Sequence, residues 1–267
     1  MANALLDFAD LLRSGKPTLT GWVGMAHPVL VDLFAREALE SITFDMEHGM
    51  HDIESLVGGI AMAALAGKPS VVRIPVGDFS LASRVLDYGA MGVIAPMINS
   101  VEDAKKLAAF CKYPPMGERS WGPIRAVPTT GLSTAEYFAQ ANRRTVTIAM
   151  IETRAAMDAL DGILSVPGID GVFVGPSDLS IALLDGARVD ALAPEVDAAF
   201  DHIVARAKAH GKFATAFAMS GAHAAKLAAK GYVMCTLCND TWLIQQGIRA
   251  QINDARGGEA KGAHRSY

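Results

Sequence analysis

Asp45, Glu47 and His48 stand together at the end of one apolar run, Arg73 is embedded in another (VVRIPV), Glu152 ends a third (TVTIAMIE), and Pro176, Ser177 and Asp178 follow a fourth. Glu152 and Asp178 are two carboxylates with no thiol or second histidine nearby. That donor set suits a hard octahedral cation such as Mg2+, Mn2+ or Co2+, which takes oxygen ligands and keeps several waters. The competing reading makes each carboxylate a helix cap or the partner of an arginine such as Arg154, and a spacing of 26 positions (178 − 152) does not choose between them. Arg73 must be paired or face a ligand, because a guanidinium stays charged. Its partner is expected to be Glu47 or Glu152, or a substrate carboxylate or enolate oxygen, and both kinds of contact can coexist. Asp45 and Glu47 share a strand face by the period of two, and such clustered charge is costly unless paired. His48 is a candidate proton shuttle, since imidazole changes charge near neutral pH, with Asp87 able to orient it. Taken singly, His48 reads as an ordinary hydrogen-bonded residue, Asp87 as a helix-end carboxylate and His51 as part of a loop. Trp22, at the end of the first strand, reads equally as a pocket wall or a core residue.

The ten lysines lie in helices, in loops or, for Lys212, ahead of a strand. None stands at the inner end of a strand, where a Schiff-base lysine is needed. A metal is then the natural electron sink for an enolate. Cys111, Cys235 and Cys238 are too few and odd in number for a disulfide framework, and CTLC lacks the second Cys/His pair that a closed metal site needs; buried thiols are the expectation.

These residues need a scaffold. Strands are expected at 18–24, 41–48, 70–76, 92–98, 145–152, 171–177, 213–218 and 232–238. Helical spacing marks 28–38, 53–66, 80–88, 101–111, 154–164, 195–210, 220–230 and 240–255. Strict alternation implies parallel strands with right-handed crossovers, and eight such units close into a (β/α)8 TIM barrel, here one domain over 1–267. No glycine-rich dinucleotide turn follows the first strand. Gly67, Gly89, Gly211 and Gly231 read as helix C-caps. The connection 112–133 holds four prolines and three glycines and is read as a lid or a binding loop leaving the active-site face. The segment 257–267 is polar and expected to fray.

Hydrophobic residues make up 51% and charged ones 19%, and 24 Lys+Arg against 28 Asp+Glu leave no run that could bind a polyanion. Nucleic acid is not an expected partner. The opening segment reads as an amphipathic helix whose Asp7 and Asp10 interrupt any signal-peptide core, and no stretch is apolar enough to span a bilayer. A cytoplasmic protein acting on a small molecule is expected.

FDMEHG (44–49), VRIP (72–75), LDYGAMGVIAPMINSVEDA (86–104), YPPMGERS (113–120), MIETRAAMD (150–158) and GIDGVFVGPSDLS (168–180) resemble, as an ordered set running from about Trp22 to Asp240, the HpcH/HpaI aldolase family. The resemblance implies a class II aldolase that joins or releases pyruvate or hydroxypyruvate and an aldehyde. It implies a divalent metal on Glu152 and Asp178, enolate stabilisation by Arg73, and a His48–Asp87 dyad near a metal-held water. It implies further that Asp45 and Glu47 support the metal or position water, and that the backbone around Gly175, Pro176 and Ser177 seats the substrate carboxylate. Homohexamers with an exchanged terminal helix are usual in the family, so 240–255 is expected to pack on a neighbour. Two departures stand out: Met150 occupies a position where glutamine is common, and Ser120 and Trp121 follow Arg119 where glycine is usual. Alternatives are a citramalyl- or malyl-CoA lyase, which would need a CoA-binding surface, and a non-catalytic keto-acid-binding barrel, which should have lost a metal ligand or Arg73.

Overall fold

Eight parallel strands close on themselves in sequence order, β8 pairing with β1, in a computed structural model that describes residues 4–257. The expectation for the tail therefore falls, from residue 258 on, outside the described residues. The elements are α1 (Ala4–Arg13), β1 (Thr18–Val23), α2 (Pro28–Ala35), β2 (Ser41–Asp45), α3 (Ile53–Leu65), β3 (Ser70–Arg73), α4 (Phe79–Asp87), β4 (Gly92–Ala95) and α5 (Val101–Cys111). There follow α6 (Ala126–Thr130), α7 (Thr134–Arg144), β5 (Val146–Ile151), α8 (Arg154–Asp158), α9 (Leu160–Leu164), β6 (Gly171–Val174), α10 (Pro176–Leu183), α11 (Pro194–Ala209), β7 (Phe213–Ala216), α12 (Gly221–Lys230), β8 (Met234–Thr236) and α13 (Asp240–Ala255). The expected TIM barrel is thus observed.

Strand residues are buried on both faces, as a sheet wrapped by helices requires, so the strands read as continuous apolar runs. Outward-facing residues such as Val72, Val93 and Val172 pack under the helices, while Val71, Ile94, Ile148 and Phe173 fill the barrel. Leu5, Phe8, Ala9 and Leu12, spaced for one helix face, carry α1 onto the N-terminal ends of the strands against Met91, Val146 and Val233. Each large side chain among them contributes roughly 1.5–3 kcal/mol by leaving water. This floor plug is the expected amphipathic opening helix. Among the described residues, no helix is long and apolar enough to cross a membrane.

Several expected boundaries move. Most strands end two or three residues early, so Glu47, His48 and Ser177 lie beyond strand ends. The expected helix 154–164 divides at Ala159, and α10 starts immediately after β6 because Pro176 occupies its first turn, where a missing N–H costs nothing. Helix α7 has no counterpart in the sequence reading, although Ser133 and Glu136 form the capping box that announces it. The largest correction concerns 112–133. It follows a helix, not a strand, so it emerges at the floor and not at the face where active sites gather, and it is not a lid over the mouth. Lys112 at its start donates to Asn142 O, Thr145 O and Asp170 Oδ2, all beside the N-terminal ends of β5 and β6.

Candidate active site

The C-terminal rim collects four carboxylates around one guanidinium. Asp45 and Arg73 end neighbouring strands and are partners in the ladder register. Their side chains therefore meet. Arg73 Nε donates to Asp45 Oδ1 at 3.0 Å and Nη2 to Oδ2 at 2.6 Å, a bidentate pair buried within the barrel. Trp22 Nε1 donates to the same Asp45 Oδ2 at 3.2 Å, and the guanidinium carbon lies 4.9 Å from the Trp22 ring centroid. Trp22 also packs on Phe173 and Phe217 and is buried in the barrel core.

Arg73 Nη1 lies 2.9 Å from Glu47 Oε2, at ion-pair distance. The approach is not aligned for a hydrogen bond, and Oε2 is left buried without a hydrogen-bond partner. Arg73 thus chooses Asp45 first and Glu47 second. The expected pairing with Glu152 is not made; Glu152 senses Arg73 only at longer range. Asp45 ends β2, whereas Glu47 and His48 lie in the loop after it, so Asp45 and Glu47 do not share a strand face. Asp45 Oδ1 accepts from both of their backbone N–H groups, at 3.1 and 3.2 Å, which folds that loop back over the strand end.

Glu152 follows β5 and is only 2% exposed. Its Oε1 accepts from Met97 N at 2.8 Å, and Met97 adopts a left-handed φ of 52°, costly for a non-glycine residue, to aim that N–H. A hydroxyl–amide contact between Thr153 and Asn99 ties the same two loops. On the other side, a Cβ at Gly175 would lie 2.5 Å from Glu152 Oε2 and would collide with Met150 Cε, so glycine leaves the carboxylate its space. Asp178 sits half-buried in the first turn of α10. The competing cap and ion-pair readings fail for this pair: Thr153 caps α8, Gly175 gives α10 no side-chain cap, and Arg154 pairs with Asp185 at 3.0 Å.

Burial raises the Glu152 carboxyl to about 7, with repulsion from Asp178 and Glu47 adding to it and the Met97 N–H opposing. Glu47 is raised as well, mainly by burial, against the pull of Arg73 and His48. Burial also acts to raise Asp45, but the hydrogen bonds and charge of Arg73 outweigh it and hold that carboxyl low. Negative charge is therefore in excess at the mouth. Among the described residues, no three His, Cys, Asp or Glu side chains by themselves form a metal cage. Two carboxylates with room beside them fit a hard cation whose remaining positions go to water and substrate.

Asp87 is the residue that the structure separates from its expected partner. It ends α4, which runs from the mouth to the floor, and its Oδ1 accepts from Arg119 Nη2 at 2.6 Å. His48 stays at the mouth, its side chain 68% exposed and its Nε2 3.9 Å from Glu47 Oε1. Within one chain the His48–Asp87 dyad is not formed, because the two residues occupy opposite ends of the barrel. Two residues escaped the sequence reading. Met97 carries no sequence signal, since its contribution is a backbone N–H. Asp240, an acid directly after the last strand, could have been found by searching every strand end.

A family model described as HpcH/HpaI aldolase/citrate lyase matches residues 19–246. The chain is 38% identical to a hydroxypyruvate/pyruvate aldolase of Rhizorhabdus wittichii over 91% of this chain and 96% of that one. It is 32% identical to a 2-keto-3-deoxy-L-rhamnonate aldolase of Salmonella gallinarum, over 94% of each. Among solved structures, an HpcH/HpaI aldolase/citrate lyase family protein from Burkholderia cenocepacia superposes with a TM-score of 0.85 at 27% identity, over 94% of this chain and 99% of that chain. With its fold, its rim of carboxylates and these likenesses, the chain belongs to the HpcH/HpaI aldolase/citrate lyase family and is a carbon–carbon lyase of the aldolase kind.

Proposed function

We propose that this barrel is a class II aldolase that reversibly cleaves 4-hydroxy-2-keto acids to pyruvate or hydroxypyruvate plus an aldehyde, using Mg2+, Mn2+ or Co2+ held by Glu152 and Asp178. The observation that carries this reading is the excess of carboxylates, Asp45, Glu47, Glu152 and Asp178, over the single guanidinium of Arg73. When bound, the cation would polarise the keto group and stabilise the negative charge that develops as the enolate forms.

The protein's own groups supply the rest. Arg73, locked by Asp45 and stacked on Trp22, has five N–H donors, of which Nε and one each from Nη1 and Nη2 face carboxylates. The remaining two are free for the developing enolate oxygen. Gly175, Pro176 and Ser177 open α10, and the N–H groups of a helix's first turn suit the substrate carboxylate. His48, exposed beside Glu47, moves a proton between the site and solvent. Trp22, Phe173 and Phe217 keep water from the inner side of the pocket.

A homo-oligomer, a hexamer by family likeness, fits two further features. Asp240 is the only buried residue of α13, whose Ile244, Ile248 and Ile252 are exposed one turn apart, beside a groove of about 420 Å³ lined by Leu33, Phe34, Leu237 and Leu243. Packing α13 on a second copy would cover both. At the floor, Arg119 Nε and Nη1, Arg125 Nε and the Tyr113 hydroxyl are buried without partners next to Asp87. A second copy docked there would bring its own His48 to this Asp87 and close the dyad between chains.

The test is proton exchange at the pyruvate methyl group in deuterated water, followed by NMR on protein stripped of metal and then resupplied with Mg2+ or Mn2+. Exchange only with metal is the expected result; no exchange under either condition would refute the pyruvate reading. Borohydride should trap no adduct, since Lys112, the one fully buried lysine among the described residues, is committed at the floor.

A further inference from the structure

Asp240 is a carboxylate 1% exposed that forms no ion pair with an arginine or lysine among the described residues. Its hydrogen bonds run to backbone instead, apart from a long one of 3.5 Å that the Thr241 hydroxyl donates to Oδ1. Gly24 N and Met25 N both donate to Oδ2 at 2.8 Å, and Thr241 N donates to Oδ1 at 2.7 Å. Burying a charge in this way is costly unless several charge-assisted hydrogen bonds and a favourable dipole offset it. Here the dipole comes from α13, whose first residue is Asp240.

The two amides that Asp240 grips belong to the turn after β1. That turn is the anvil for the loop carrying Glu47 and His48. Met50 N donates to Gly24 O at 2.7 Å, and a Cβ at Gly49 would collide with Asp45 O and press to 3.0 Å from Gly24 Cα. The loop 46–50 is therefore wedged between the end of β2 and the 24–25 turn, with no slack on either side. A mechanical chain runs from the start of α13 through Asp240, Gly24 and Met50 to Glu47 and His48.

We infer that Asp240 is a positioning residue that sets the placement of the Glu47–His48 loop through the Gly24–Met25 amides, and so governs proton transfer at the mouth. The turnover part of this inference rests on the enolising function proposed above; the structural part does not. Asp240→Asn keeps the shape, removes the charge and, whichever way the amide turns, sets an N–H donor against at least one backbone amide that is itself a donor.

In Asp240→Asn, hydrogen exchange at Gly24, Met25 and Met50 should accelerate by about tenfold or more, the loss expected for a charge-assisted hydrogen bond. The turnover number for pyruvate methyl exchange should fall by a similar factor of about ten, with KM for pyruvate and the affinity for Mn2+, read by titration, unchanged. Asn239→Ala is the control. It removes the helix cap in which Asn239 Oδ1 accepts from Trp242 N at 2.9 Å, without touching the 24–25 turn. It should loosen the first turn of α13 and leave loop exchange and turnover as they were. If Asp240→Asn does not fold, Asp240→Glu, which keeps the charge, should show the same loop exchange in milder form. Unchanged exchange at the three amides, or the same pattern from Asn239→Ala, would overturn the inference. Faster exchange at those amides in a protein whose wild type never enolises pyruvate would uphold the strut and refute the function instead.

Discussion

At the floor of the barrel, Lys112 uses all three of its ammonium hydrogens, on Asn142 O, Thr145 O and Asp170 Oδ2, and Asp170 is shared further with Arg13 and Thr147 N. At the mouth, Asp45 is paired as fully, yet Glu47 keeps a buried oxygen without a hydrogen bond, and Glu152 and Asp178 repel each other. Both clusters bury charge, but the Lys112–Asp170 cluster has every ammonium hydrogen paired, whereas the cluster at the mouth leaves charge uncompensated. The floor arrangement holds the fold together. The mouth arrangement is unfavourable without a ligand, which is the signature of a site that trades stability for binding.

That contrast can be broken from either end. The largest effect is expected at the mouth: Asp178→Ala should weaken Mn2+ binding by on the order of a hundredfold or more and turnover by about a thousandfold. The metal-free melting temperature should hold or rise, because a like charge has been removed from beside Glu152. A full-rate variant would rule out Asp178 as a ligand. Next comes Lys112→Met at the floor, which leaves Asp170 short of its buried partner and should cost about 3 kcal/mol in denaturant unfolding, with turnover per folded molecule unchanged. Equal losses of stability from both variants would erase the distinction between the two ends.

Arg73→Ala should slow enolisation roughly a hundredfold while altering metal affinity far less, a difference read by comparing methyl exchange with Mn2+ titration. Unchanged exchange would deny Arg73 its enolate role. A smaller effect concerns pH. With Glu152 raised to about 7, the folded metal-free chain retains a proton that the unfolded chain releases near 4.5. Stability of stripped protein should therefore decline as pH rises from 4.5 to 7, by on the order of 2–3 kcal/mol, and Glu152→Gln should flatten that decline. Asp45 acts with the opposite sign: its lowered pKa contributes stability that is complete above 3.8 and is lost as pH falls through its folded value. Last, mixing inactive His48→Ala and Asp87→Ala chains under conditions that exchange subunits should restore roughly a quarter of the sites if the dyad forms between copies. No recovery would leave Asp87 a floor residue bound to Arg119.

The alternation of apolar runs and helical stretches, the acids at strand ends and the ordered motifs were legible in the sequence because each is a local pattern, set by side-chain period or by a few adjacent residues. From these alone came the barrel, the pairing of Glu152 with Asp178 as neighbours at adjacent strand ends, and the family. The capping box at Ser133 and Glu136 was equally local and went unread. What only the tertiary structure decided are contacts between residues remote in the chain. Barrel closure chooses Asp45 over Glu152 for Arg73, brings Asp240 against Gly24 from the other end of the sequence, and sends Asp87 to the floor while His48 stays at the mouth. The direction in which a helix runs decides that last separation, and the pattern of residues along a helix is the same whichever way it points across the barrel.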